Sequence, residues 1–297
     1  MYDLIIVGAG AAGLNAGLYA ARYKLKTLII SERFGGTGLD APHIENWLGI
    51  RKEIGSELMK AFIEHVRSVG AEFLQATVET IKKDEKGFKV IAGGKEYEAK
   101  TIIFSTGMTH KKLDVFDKFE KKGVSYCVSC DGPIFQNKNV AVVGGGNSAC
   151  AAAMMLSNYA KKVYMIVRKK ELRAEPRLAE NTVKNKKIEI IFKANITKAK
   201  GDKFLKSIEL DNKNELEVQG VFVEIGLAPV TRLASEIGLK LDKQGFIKVN
   251  KDQETSVDGI FAAGDATDKH KLKQLITSAE EGAVAAFSAY QLLKEKK

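Results

Sequence analysis

The chain opens on Tyr2-Asp-Leu-Ile-Ile-Val7, an apolar run with weak alternation, as in a parallel strand buried on both faces. The run stops at Gly8-Ala-Gly-Ala-Ala-Gly13, and a helix is predicted from there to about Arg22. Residues 27–30 form a second apolar strand that ends at Ser31-Glu32. Residues 35–49 are rich in glycine and show no period, which predicts a loop. Leu58, Ala61, Phe62 and Val66 then share one face of a helix predicted over residues 55–69. Short strands are predicted near Val78, over 88–91 and over 101–104, the last running into Ser105-Thr106-Gly107. The opening pattern then restarts, with a strand over 140–143, Gly144-Gly-Gly-Asn-Ser-Ala149, a helix to about Asn158 and a strand over 163–167. Near the C-terminus, Gly259-Ile-Phe-Ala-Ala-Gly264-Asp265 reads as a short strand ending in a glycine and an acid. A long helix is predicted after it, from about Thr277 to Lys294. One strand and one helix do not make a domain, so they complete the first one and the Gly144 unit is inserted within it.

A glycine-rich turn between a strand and a helix is a phosphate site, and here it occurs twice in that context. Gly8 permits the tight turn, Gly10 lets the backbone approach a pyrophosphate, and Gly13 lets helix pack on strand. The helix N-terminus turns backbone N–H groups toward the phosphates. Glu32 follows Gly13 at the spacing where an acid binds the ribose hydroxyls of FAD or NAD. In the second copy the same spacing from Ala149 ends on Arg168, followed by Lys169 and Arg173. Bases there suit a ribose 2′-phosphate, so the second copy is expected to take NADP(H). The predicted class is α/β, with two Rossmann-like three-layer dinucleotide-binding domains. The first is split over residues 1–112 and 241–297, and the second spans 113–240.

Composition narrows the setting. The chain has 297 residues with 45% apolar and 28% charged, enough for two domains with real cores. Apolar stretches are too short for a membrane span, and the acid at position 3 does not suit a signal peptide, so a cytoplasmic protein is expected. The net charge of +10 is scattered in lysine doublets such as Lys111-Lys112 and Lys161-Lys162. It reads either as a solvated surface or as long-range attraction of an acidic protein partner and a phosphorylated cofactor. No basic stripe interleaved with aromatics supports nucleic-acid binding.

Three cysteines are too few for a secreted disulfide framework. Cys150 lies on an apolar helix and reads as a small core residue. Cys127-Val-Ser-Cys130-Asp131 lies just before the second glycine fingerprint. A structural zinc site needs four ligands, and His43, His65, His110 and His270 show no ligand spacing, so no metal is expected. The pair reads as redox-active. Two dinucleotide folds beside a dithiol imply a relay in which a nicotinamide feeds a flavin and the flavin exchanges electrons with a disulfide. Both nucleotide and dithiol must reach one flavin, which predicts a swivel with hinges near 112–115 and 238–241.

These residues resemble the low-molecular-weight thioredoxin reductases of the bacterial and archaeal type. The likeness covers essentially the whole chain and rests on Gly8 to Gly13, Glu45-Asn46-Trp47, Ser105-Thr106-Gly107, Cys127 to Gly132, Gly144 to Ala149, Arg168 to Arg173, Gly264-Asp265 and Lys273-Gln274-Leu275. The resemblance implies FAD in the split domain, NADPH in the inserted domain, a thioredoxin-like protein substrate and a homodimer. It carries the FAD contacts onto Gly8, Gly10, Ala12, Gly13, Ser31, Glu32, Gly36, Thr37, Asn46, Val78, Thr106, Gly107, Asp265, Lys273, Gln274 and Leu275. It carries the NADPH contacts onto Gly144, Gly146, Asn147, Ser148, Ala149, Arg168, Lys169 and Arg173. It makes Cys130 the flavin-side sulfur, Cys127 the interchange thiol and Asp131 the acid that protonates a leaving thiolate. The chain departs from the family pattern at Val167, Lys169, Lys273 and Pro133-Ile134. The competing expectations are the same fold fed by a deazaflavin or ferredoxin donor, a flavin-dependent dithiol oxidase, and a flavin-bound redox sensor.

Overall fold

The structure, a computed structural model, describes residues 1–41 and 44–295. Pro42 and His43, inside the predicted glycine-rich loop, and the last two lysines lie outside the described residues. The chain first runs β1 (Tyr2–Val7), α1 (Ala11–Arg22), β2 (Thr27–Ser31), α2 (Gly55–Ser68), β3 (Glu72–Gln75), β4 (Val78–Asp84), β5 (Gly87–Ala92), β6 (Lys95–Phe104) and β7 (Met108–His110). It continues through β8 (Val124–Ser125), α3 (Val128–Asp131), β9 (Asn139–Val143), α4 (Asn147–Leu156), β10 (Lys162–Val167), α5 (Pro176–Lys184), β11 (Ile188–Phe192), β12 (Ile196–Gly201), β13 (Leu205–Leu210), β14 (Glu215–Glu217) and β15 (Gly220–Val223). It closes with β16 (Leu227–Pro229), α6 (Arg232–Glu236), β17 (Ile260–Ala262) and α7 (Leu275–Glu295).

Two compact units result. One combines Met1–Thr109 with Pro229–Lys297, and the other is His110–Ala228. The two crossovers run side by side as the pair β7 and β16. The return crossing falls before Pro229, earlier than the expected 240/241. The reason is apolar: Ala234 and Leu239 pack into the first unit's core with Val78, Ile81 and Ile247.

In the first unit the sheet order is β3-β2-β1-β6-β5-β4, with β17 also on β6. Strand alternation sorts its core into two faces. Leu4 and Ile6 of β1 face α1, α2 and α7, whereas Ile5 and Val7 face the opposite cluster with Phe88 and Val90. Strand β6 serves both halves, since Ala99 to Lys95 pair antiparallel with β5 and Thr101 to Phe104 pair parallel with β1. The C-terminal strand and helix complete this unit, with β17 parallel to β6 and α7 packed along α1.

In the second unit the order is β11-β10-β9-β15-β8, all parallel. Val140, Val142 and Phe222 face α4, while Ala141, Val143, Val221 and Val223 face the small antiparallel sheet β12-β13-β14. The helix predicted to Asn158 ends at Leu156. Helix α7 begins at Leu275, where the Thr277 hydroxyl donates to the Gln274 carbonyl and accepts from the Gln274 N–H.

Candidate dinucleotide and dithiol sites

In the first unit the glycine turn is shaped by close backbone approach. Gly8 has φ +107°, and a Cβ there would lie 2.2 Å from the Ser105 carbonyl oxygen. Ser105 Oγ donates to the carbonyls of Val7 and Gly8 at 3.1 and 2.9 Å, which fastens the end of β6 to the turn. A Cβ on Gly13 would meet the Gly8 carbonyl at 2.1 Å, whereas one on Gly10 would meet nothing within 4 Å. Open space therefore lies over the start of α1, whose first turn has no side-chain cap. Such a cradle suits a diphosphate. The Gly35 N–H donates to the Ala9 carbonyl at 2.7 Å, so the Gly35-Gly36 turn folds back beside Gly10.

The other first-unit candidates fall into three groups. Glu32 and Thr37 are exposed, with Glu32 just past the end of β2. Asn46 and Gln274 meet directly, the Asn46 amide donating to Gln274 Oε1 at 2.9 Å. Several others are already engaged by protein. Ser31 Oγ bonds the Arg33 backbone, Thr106 Oγ1 donates to the Val230 carbonyl at 2.6 Å, and Lys273 Nζ donates to the Thr267 carbonyl at 2.6 Å. Ala12 is buried against Gly264 and Gly282, and the Val78 side chain belongs to the core. Gly107 has φ +63° and accepts the Val230 N–H at 3.0 Å. Leu275 packs near Gly38 at the start of α7.

Asp265 is half-buried and accepts a hydrogen bond from Ser278 Oγ at 2.9 Å. Burial pushes its carboxyl up, opposed by the Ser278 hydroxyl and the Lys273 ammonium. Behind it lies Glu281, 2% exposed, whose Oε2 accepts from the Gly264 N–H at 2.8 Å and from Thr267 Oγ1 at 2.7 Å. Burial raises the Glu281 carboxyl too, against those two hydrogen bonds. Sequence reading missed Glu281, although an acid within the first two turns of an apolar helix was a visible signal.

The second unit repeats the turn. Gly144 has φ +140°, with a hypothetical Cβ 2.2 Å from the Glu224 carbonyl oxygen, and a Cβ on Gly146 would meet open space. Helix α4 also begins without a side-chain cap. Ser148 is exposed and Ala149 is buried against Gly144. Asn147 Oδ1 accepts the Glu175 N–H at 2.7 Å, and the Arg173 N–H donates to the Gly145 carbonyl at 2.7 Å. These bonds hold the segment after β10 against the glycine turn. Arg168 and Lys169 follow the last residue of β10, and with Arg173 they are exposed. None of the three has a carboxylate partner among the described residues.

Cys127 and Cys130 form a disulfide with Cα atoms 5.3 Å apart. Strand β8 delivers them, and Cys127 is the N-cap of α3. The Cys130 N–H donates to Cys127 Sγ at 3.2 Å, and Ser129 Oγ lies 3.3 Å from the same sulfur. Cys127 is half-buried and Cys130 exposed. Asp131 Oδ2 accepts from Ser125 Oγ at 2.6 Å, and Ser125 Oγ also accepts the Cys127 N–H at 3.1 Å. The buried Ser125 thus ties the acid to the cysteine backbone, a role that a serine two residues upstream does not announce. Cys150 is buried at 0% exposure, and burial raises its thiol above the ordinary range. No helix among the described residues is long and apolar enough to cross a membrane.

Residues 2–282 match the family described as pyridine nucleotide-disulphide oxidoreductase. The chain is 38% identical over 297 residues to a thioredoxin reductase of Treponema pallidum, covering 97% of this chain and 96% of that protein. The crystal structure of Lactococcus lactis thioredoxin reductase superposes with a TM-score of 0.92 at 33% identity, covering 99% and 100% of the two chains. That of T. acidophilum thioredoxin reductase gives 0.87 at 37% identity, covering 98% of each chain.

Proposed function

From the premise that this chain belongs to the pyridine nucleotide-disulphide oxidoreductases, and among them to the thioredoxin reductase family, we propose that it passes electrons from NADPH through FAD to the Cys127–Cys130 disulfide and on to a thioredoxin-like protein. The observation that carries this reading is a disulfide on the same unit as the second open glycine cradle, with a second such cradle in the first unit. FAD held in the first cradle would supply a hydride acceptor for the nicotinamide and a two-electron donor for the disulfide.

The chain's own residues account for the rest. Gly10 and the uncapped start of α1 admit the FAD pyrophosphate, Glu32 takes the ribose hydroxyls, and the Asn46–Gln274 pair borders the site. Gly146 and the start of α4 admit the second dinucleotide, and Arg168, Lys169 and Arg173 hold its 2′-phosphate. Only a thiolate attacks a disulfide. Donors aimed at Cys127 Sγ favour its thiolate once the internal bond opens, which supports Cys127 as the attacking sulfur. Cys127 Sγ bonds one sulfur of the substrate, and the departing sulfur takes its proton from Asp131. Cys130 Sγ then attacks Cys127 Sγ, which re-forms the internal disulfide and releases the reduced substrate. Ser125 holds Asp131 in place for that transfer.

The test is anaerobic mixing of the FAD-loaded protein with NADPH, NADH and reduced ferredoxin in parallel. NADPH is expected to bleach the flavin, with a preference over NADH of roughly 10- to 100-fold in kcat/KM, since exposed charged contacts sit at the low end of their range. Arg168→Glu is expected to erase that preference. Cys127→Ser and Cys130→Ser are each expected to lose disulfide reduction while NADPH still bleaches the flavin. Bleaching by ferredoxin alone would assign a different donor, and turnover by either serine variant would remove the dithiol from the path. The same family reading implies a homodimer, which light scattering measures.

A further inference from the structure

The sheet of the second unit reverses its strand order between β9 and β15, with β10 and β11 on one side and β8 on the other. In an open α/β sheet, ligands sit in the crevice outside the strand ends at such a reversal. The Gly144 turn forms one wall of that crevice. Glu224, the residue after β15, forms the other. Its N–H donates to the Val143 carbonyl at 2.8 Å, and its own carbonyl oxygen is what a Cβ on Gly144 would strike. Val221 and Val223 belong to the core beneath β12-β13-β14, while Phe222 belongs to the α4 core. Continuing that alternation one step puts Glu224 on the α4 side, where the uncapped first turn of the helix lies.

The Glu224 carboxyl is half-buried and has neither hydrogen bond nor ion pair among the described residues. Burial alone pushes it up to about 7. No cation among the described residues compensates it, and Arg168, Lys169 and Arg173, on the segment held against the glycine turn, are exposed and do not shift it. Strand β9 and the glycine turn carry no charge, and α4 carries only the buried Cys150 thiol. Strand β8 leads to Tyr126, engaged with Glu120, and to Asp131, held by Ser125. Lys111 meets the following Gly226 through its backbone N–H. None of these groups shifts the Glu224 carboxyl.

A carboxylate left unpaired at the mouth of a phosphate cradle opposes an arriving pyrophosphate, whereas a neutral carboxyl does not and can donate a hydrogen bond. We propose that Glu224 meets the pyridine dinucleotide in the switch-point crevice and that binding there is coupled to uptake of one proton by its carboxyl. This rests on the reading that the second unit binds the nucleotide. It makes Glu224 a specificity residue that weakens dinucleotide affinity as pH rises.

The test is calorimetric titration of the FAD-loaded protein with NADP+, from about pH 6 to about pH 9, in buffers of differing ionisation heat. Wild type is expected to take up part of a proton near pH 7.5, and its Kd is expected to rise by up to about tenfold per pH unit above the free carboxyl's range. Glu224→Gln is expected to lose that uptake and to bind several-fold more tightly than wild type at about pH 8.5. Glu224→Ala is expected to lose the pH dependence as well, without the gain that a donated hydrogen bond gives. The 2′-phosphate also titrates, but equally in all three proteins, so the difference between them isolates the carboxyl. Identical pH profiles and buffer-independent heats in wild type and Glu224→Gln would overturn the inference and leave the nucleotide assignment standing. No NADP+ binding by any of the proteins at any pH would overturn both.

Discussion

At the scale of single residues, the buried polar side chains divide by whether they have partners. Glu281 has two donors and fixes the Gly264 turn, whereas Gln253 is 0% exposed and its amide nitrogen and oxygen have no partner among the described residues. An unsatisfied buried amide costs about 1–3 kcal/mol, and methionine has similar length and shape. Gln253→Met is therefore expected to raise the unfolding free energy by about 1 kcal/mol, read as a rise of roughly 2–4 °C in Tm by calorimetry. A fall would mean that bound water satisfies the amide. Glu224 gives a pH-dependent counterpart. Its carboxyl sits at about 7 in the fold against an ordinary 4.5, so the folded state binds the proton more tightly. Stability is then full below about pH 4.5 and is lost as pH rises to about 7. Glu224→Gln is expected to match wild type near pH 4 and to exceed it at about pH 8 by up to about 3 kcal/mol. Denaturant melts at the two pH values measure this, and an equal gain at both would point to packing rather than charge.

At the scale of elements, the glycine turns and the long apolar helices were legible because they depend on neighbours close in sequence. The strands β12, β13 and β14 were not, because Ile196-Thr-Lys-Ala-Lys-Gly201 and Leu205-Lys-Ser-Ile-Glu-Leu210 are short, with few apolar residues among charged ones, and the three strands pair only among themselves. Leu205 and Ile208 are buried only because these strands pack against the parallel sheet. Long-range packing also explains Gly282. A Cβ there would lie 2.1 Å from the Ala12 carbonyl, so α7 touches α1 backbone to backbone. Gly282→Ala is expected to push the two helices apart and to cost about 1–3 kcal/mol, with earlier release of flavin on heating. Fluorescence of the freed flavin during a thermal ramp reports both effects, and an unshifted release temperature would show that α7 can move without disturbing the glycine turn.

At the scale of the whole molecule, the two units differ in how they are threaded. Residues 110–228 are contiguous and enclose two core clusters of their own. The other unit is discontinuous, since β17 completes the sheet beside β6 and α7 covers α1. The segment 110–228, expressed alone, is therefore expected to fold cooperatively, and residues 1–109 alone are not. Circular dichroism and limited proteolysis of the two fragments check this. An unfolded 110–228 fragment would mean that its core depends on the first unit.

The sequence by itself determined the two strand–turn–helix cradles, the dithiol before the second of them, the acid and the bases at matched spacing, and the insertion of one unit in the other. Each is a local pattern or a repeat of one, and local backbone geometry enforces it. Only the tertiary structure decided that the insertion ends before Pro229 and that Ser125 ties Asp131 to Cys127. It alone placed Glu281 behind Gly264, and Glu224 opposite Gly144 without a partner. The Ser125 bonds are local but depend on how its side chain is buried, and the other relations join residues far apart in the chain or depend on which side chains burial leaves without a hydrogen bond; none of this is written in the order of the residues.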